Sequence, residues 1–164
     1  MNTKNTYHVD AAATDDFLHL VTFRLLGEEF ALPITDVREI IRMIEVTPVP
    51  QAPPFVEGVI NLRGQIIPVV DMRKRFGIEP KEVDHESCMI VIEMRGILVG
   101  IIVDDIPNIG RIPSDSVSPP PAMVAGAIGA EYIKGISHHE DRMIILIDMR
   151  KVFSQDELGA LQQM

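Results

Sequence analysis

The sequence predicts a mainly β protein built as two tandem small barrels packed together, with short helices and one C-terminal helix. Three observations carry this expectation. Apolar runs of five to seven residues, rich in Ile and Val, alternate with turn residues along most of the chain, as half-buried or buried strands do. The tetrapeptide Asp-Met-Arg-Lys occurs twice, at Asp71–Lys74 and Asp148–Lys151, each time behind an apolar run and two positions before Phe76 or Phe153. Helical periodicity is confined to a few short stretches.

The elements follow in order. Residues 1–16 are polar and aperiodic and read as a flexible tail. FLHLVTFRLL and FALPI form a hairpin turning at Gly27. Thr35–Met43 carries Ile34, Val37, Ile40, Ile41 and Ile44 at helix-like spacing behind a Thr-Asp cap signal, predicting a short helix. FVEGVINLRGQIIPVVD is a second hairpin, turning at Arg63–Gly64. Asp71 then caps a one-turn helix that Gly77 ends, with Met72 and Phe76 anchoring it and Arg73 and Lys74 facing water. CMIVIEMRGILVGIIVDD is a third hairpin, turning at Arg95–Gly96. Pro107–Ala130, rich in Pro and Gly, reads as a long connection. ISHHEDRMIILID is a fourth hairpin with HHED as its loop, and Asp148 caps the second one-turn helix. Ser154 and Glu157 make a capping box for a last helix over 155–163 that turns Leu158 and Leu161 to one side.

The tetrapeptide belongs to a longer repeat. An offset of 69 carries Phe30, Leu32, Ile34, Val37 and Ile40 onto Val99, Ile101, Val103, Ile106 and Ile109. An offset of 77 superposes the two Asp-Met-Arg-Lys copies with the strands before them. The difference is taken up by the Pro-rich connection. Each half is then a sub-barrel, over about 17–86 and 87–154, with strand exchange allowed at the boundary. Closed barrels hide strand edges, and halves this short and apolar are expected to share a seam.

Composition narrows function. Fifteen basic against 24 acidic residues give a net charge of −9, which disfavours nucleic acid and anionic lipid as partners. The first sixteen residues lack the apolar region of a signal peptide, and no apolar run is long enough to span a bilayer. A single cysteine, Cys88, suits a reducing compartment. The expected location is the cytoplasm.

Enzyme signatures are scarce. Phosphate-cradling glycine motifs, the nucleophile elbow and zinc-protease motifs are all missing. Cys88 opens an apolar strand, where a small hydrophobe is the ordinary occupant. His138-His139-Glu140-Asp141 is the one metal-like cluster, but neighbouring side chains in extended chain diverge. Asp104-Asp105 marks a strand end. No catalytic residue, metal or cofactor is expected. The interaction reading is stronger: Arg63, on an exposed Asn-Leu-Arg-Gly turn, is placed to pair with Glu39.

The strings FALPITDVREI, VEGVINLRGQIIPVVDMRKRFG and YIKGISHHEDRMIILIDMRKVF resemble the CheW family of bacterial chemotaxis coupling proteins. The resemblance runs from Phe17 to the C-terminal helix. It implies two SH3-like five-stranded barrels and a non-enzymatic adaptor between cytoplasmic tips of chemoreceptors and the regulatory domain of the histidine kinase CheA. It further implies recruitment to membrane-bound arrays without membrane insertion, and rings formed with the kinase regulatory domain. By position it assigns receptor binding to Ile34, Val37, Glu39, Ile40 and Arg63, and backbone geometry to Gly58 and Gly64. It also points to kinase contact around Cys88 and Met89. The alternatives are the same adaptor role in another chemosensory pathway, serving surface motility or second-messenger control, and a double-barrel hydrolase. The hydrolase requires His138, His139, Asp104 or Cys88 to converge in a pocket.

Overall fold

The apolar runs form extended strands because each buries alternate β-branched residues against another sheet. The computed structural model describes residues 16–120 and 130–164. Eleven strands are described: β1 (Phe17–Leu25), β2 (Glu28–Pro33), β3 (Val37–Arg42), β4 (Val56–Leu62), β5 (Gln65–Asp71), β6 (Cys88–Met94), β7 (Ile97–Val103), β8 (Asp105–Pro113), β9 (Val117–Ser118), β10 (Ile133–His139) and β11 (Arg142–Ile147). Two α-helices, α1 (Met72–Arg75) and α2 (Gln155–Gln162), join them.

Four hairpins close through two-residue turns in which both residues have positive φ: Leu26–Gly27, Arg63–Gly64, Arg95–Gly96 and Glu140–Asp141. That is the turn whose twist matches paired strands. The turns expected at Gly27, Arg63–Gly64 and Arg95–Gly96 form as read. His138 and His139 instead end β10, leaving only Glu140–Asp141 as the fourth turn.

Two expectations are overturned. Thr35–Met43 is not helical: Ile34–Asp36 makes one 3-10 turn and Val37–Arg42 is strand β3, paired with β6. A register shift between Val37 and Glu39 leaves Arg38 as an extra, bulged residue. The bulge breaks the two-residue alternation, so the apolar positions acquire a helix-like spacing in the text. Pro107–Ala130 is not purely a connection either, because Asp105–Pro113 is the nine-residue strand β8. It lies at a sheet edge, where proline and glycine are tolerated.

The strands make two sheets, ordered β8-β1-β2-β11-β10-β9 and β3-β6-β7-β5-β4. The boundary near residue 86 divides the repeats but not the sheets. Each sheet takes its first hairpin from one repeat and its remaining strands from the other. The registers repeat as well. Ala31 pairs in parallel with Leu146, and their repeat counterparts Gly100 and Val69 pair in the same way. Val21 opposes Ile109 as Ile90 opposes Ile40. The duplication is therefore an exchanged one, with the hairpins β1–β2 and β6–β7 traded between halves. We call the first sheet barrel A and the second barrel B.

Between the barrels runs a shared core that includes Phe23, Phe30, Met72, Val99, Ile101, Met149 and Phe153. Asp71 and Asp148 accept hydrogen bonds from the Arg73 and Arg150 amides, capping the two short helical turns, the second of which is 3-10. One part of that reading is corrected: Arg73 does not face water. It is buried, with Nε and Nη2 at 2.8 and 2.6 Å from the Asp104 carboxylate and Nη1 2.7 Å from the Glu79 carbonyl. Ser154 and Glu157 form the expected capping box, and Leu158 and Leu161 are buried. Arg75, lying over the touching rings of Phe55 and Phe153, binds the Val152 carbonyl and Glu157, fastening α2 to α1.

Candidate functional site

The β4–β5 turn positions Arg63. Its φ of 53° and the 88° of Gly64 set the hairpin reversal, and Asn61 Oδ1 accepts the Gly64 amide at 2.8 Å, stiffening the turn. Arg63 reaches back to β3 and grips Glu39 with two hydrogen bonds of 3.1 and 2.5 Å. The sequence-based pairing of these two residues is thus realised. Hydrogen bonding and charge from Arg63 hold the Glu39 carboxyl below its ordinary range, and Glu39 raises Arg63 in turn. The Arg63 side chain remains 69% exposed, so the pair contributes little to stability and is open to a partner.

Arg63 and Glu39 rim an open groove of about 360 Å³ at the mouth of barrel B. Leu62, Ile67, Val91 and Leu98 line it, with Gln65 and Arg38. In an unbroken strand, neighbours Arg38 and Glu39 would point to opposite faces; the bulge lets both line the groove. Arg38 is additionally paired with Glu93 on β6. Sequence reasoning missed Arg38, Gln65 and Leu98, since nothing in the text announces a bulge.

The remaining residues assigned by resemblance fall elsewhere. Val37 and Ile40 are half-buried against the shared inter-barrel core rather than in the groove, and Ile34 is exposed in the 3-10 turn before β3. Gly58 serves a close approach: a Cβ there would lie 2.2 Å from the Thr47 carbonyl oxygen. The absent side chain lets residue 47 cross β4 and exchange two backbone hydrogen bonds, of 2.8 and 2.9 Å, with Val59. Cys88 starts β6 beside Arg42, half-buried, and its thiol contacts the Glu86 carbonyl at 3.3 Å. Burial raises the Cys88 thiol above its ordinary range, the opposite of an activated nucleophile. Met89 is fully buried in the core of barrel B, so its side chain is not available to an outside partner. A second, more apolar depression, lined by Met43, Ile44, Val46, Val83 and Ile102 with Glu45 and Glu57 on its wall, lies beyond Arg42.

The groups a hydrolase would need do not converge. Asp104 is engaged by Arg73 and the Leu26 amide, while His138 and His139 alternate on β10 opposite Met143 and Arg142. Among the described residues no cluster of His, Cys, Asp and Glu could hold a metal ion, and no helix is long and apolar enough to cross a membrane.

Fold and site together define a protein-interaction module, a double barrel presenting an open groove with a charged lining. Comparison with known proteins makes this specific. The profile of the family described as "CheW-like domain" matches residues 19–157. The chain is 34% identical to the chemotaxis protein CheW of Treponema pallidum (strain Nichols), over 93% of this chain and 92% of that one. It is 35% identical to chemotaxis protein CheW of Rhizobium meliloti (strain 1021), over 86% and 90%. The crystal structure of scaffolding protein TtCheW from Thermoanaerobacter tengcongensis superposes with a TM-score of 0.77 at 37% identity, covering 85% of this chain and 94% of that one. The chain belongs to the CheW-like domain family.

Proposed function

We propose that this protein is a non-enzymatic chemotaxis adaptor, coupling chemoreceptors (methyl-accepting chemotaxis proteins) to the histidine kinase CheA and supporting receptor control of autophosphorylation in signalling arrays. The observation that carries the proposal is the solvent-accessible Glu39–Arg63 pair on the rim of an open, mainly polar groove, in a chain of this family. An open groove with a charged lining suits a helical receptor tip, since complementary charge fixes register and the partly exposed Leu62 and Leu98 add apolar contact.

In this reading Glu39 and Arg63 meet the receptor, and Ile34, Val37 and Ile40 extend the contact along the seam side of β3. Gly58 and Gly64 shape the backbone beneath it. The regulatory domain of the kinase docks around Cys88, on the apolar depression that includes Met43, Ile44 and Val46; Met89 supports that surface from inside. A ring alternating this chain with the kinase regulatory domain follows if both barrels engage kinase. The protein would work in the cytoplasm, held at receptor arrays by its partners and not by membrane insertion.

The test is co-sedimentation and phosphorylation with receptor signalling fragments and the cognate kinase. Kinase activity in the presence of receptor should depend on added protein. Activity unchanged by its addition would end the proposal.

A further inference from the structure

In a duplicated fold, features present in both copies are architecture, and features present in one copy belong to that copy's task. The Asp-Met-Arg-Lys turns occur in both. The charged rim occurs once. At offsets of 69 and 77 the counterparts of Arg38, Glu39 and Arg63 are Pro107, Asn108 and Glu140. The counterpart groove is also filled. Gln65 and Leu98 of barrel B correspond to Arg142 and Glu29 of barrel A, which pair across the opening, so about 20 Å³ remains there against about 360 Å³ in barrel B. The bulge that exposes Arg38 accordingly delivers a charge only where a groove is open.

Arg38 differs from Arg63 in how it is held. Arg63 gives both terminal nitrogens to Glu39. Arg38 gives Nη1 to Glu93, and among the described residues nothing else engages its fork. Nη2 and Nε are the two donors with which a guanidinium takes a carboxylate side-on. The side chain is 57% exposed and lines the groove. Glu93 fixes its direction without filling its capacity.

We propose that Arg38 is a specificity-determining contact of this groove, its free fork receiving a carboxylate on the docked segment. The groove then selects a helix that presents an acidic side chain toward β3. This rests on the receptor-binding reading above and adds to it the charge that the receptor must supply.

The experiment titrates the full chain and its variants with a soluble fragment carrying the cytoplasmic tip of a chemoreceptor, with thermal melts as the folding control. Arg38→Ala should weaken binding about tenfold, the effect of one charge-assisted contact, and the loss should shrink in high salt. Arg38→Lys should recover only part, because an ammonium lacks the fork. Glu93→Ala removes the competing carboxylate and should tighten binding about twofold. Reversing the facing acidic residue of the fragment to Lys should abolish binding to wild type and restore it to Arg38→Glu. The inference is overturned if Arg38→Ala binds within twofold of wild type, or if Glu93→Ala weakens binding as much as Arg38→Ala does, which would make the pair merely structural. No binding by the wild-type chain, or binding that Arg63→Glu leaves intact, would instead overturn the receptor reading and the inference with it.

Discussion

Arg73→Ala tests whether the buried ion pair beside α1 holds the exchanged hairpin in place. Arg73 and Asp104 are 10% and 14% exposed and share two hydrogen bonds of 2.6 and 2.8 Å. Asp104 also accepts the Leu26 amide at 2.9 Å, linking the tip of the β1–β2 hairpin to the end of β7. Removing Arg73 leaves a poorly solvated carboxylate and an unpaired Glu79 carbonyl, a loss of about 3 kcal/mol. For a chain of this length that is roughly a 6–12 °C fall in Tm. The pH dependence follows from direction. Hydrogen bonding from Arg73, opposed by burial, holds the Asp104 carboxyl below its ordinary range. A carboxyl depressed in the folded state adds stability that is complete above its unfolded value, about pH 4, and is lost as pH falls through the folded value. Urea unfolding of wild type and Arg73→Ala should therefore differ most at pH 7 and converge toward pH 3. A difference below about 1 kcal/mol at pH 7, or one that stays constant down to pH 3, would refute the reasoning.

Three further substitutions separate scaffold from site. Gly58→Ala places a methyl against the Thr47 carbonyl and should cost about 2 kcal/mol through loss of two backbone hydrogen bonds; hydrogen exchange at the Thr47 and Val59 amides should rise in step. Ser154→Ala removes one side of the capping box, costing about 1 kcal/mol in chemical denaturation. Arg75→Met keeps an apolar side chain beside Phe55 and Phe153 but leaves Glu157 and the Val152 carbonyl without their partner, so amide exchange should accelerate over α2 before global unfolding.

The repeat and its hairpins were legible because turns and apolar runs are local signals: a Gly with positive φ reads the same wherever its strands go. Exchange at the repeat boundary was allowed for, but which hairpins trade was not legible. It depends on which barrel β1–β2 enters, and both barrels offer the same register. β3 was misread for a definite reason, the bulge at Arg38, and with it went one wall of the groove. The Glu39–Arg63 pair came from residue type and the exposed turn, whereas Gln65 and Leu98 enter the site only through strand packing. Arg73 shows the opposite error. The motif suggested a solvated arginine in the first copy, yet Arg73 is buried because it reaches Asp104 at the end of β7 and the Glu79 carbonyl, whereas Arg150 pairs with Asp148, the cap of its own turn, and stays 66% exposed.

The claim that the mouth of barrel B is the receptor-docking surface is met most directly by one comparison. Glu39→Lys and Arg63→Glu would be assayed for binding to a receptor-tip fragment, alongside their melting temperatures. Arg63 is exposed and Glu39 partly so, so each variant should melt close to wild type while binding is lost at least tenfold. Wild-type binding by folded variants would contradict the claim, and unfolding of either would mean that the pair serves the barrel and not the partner.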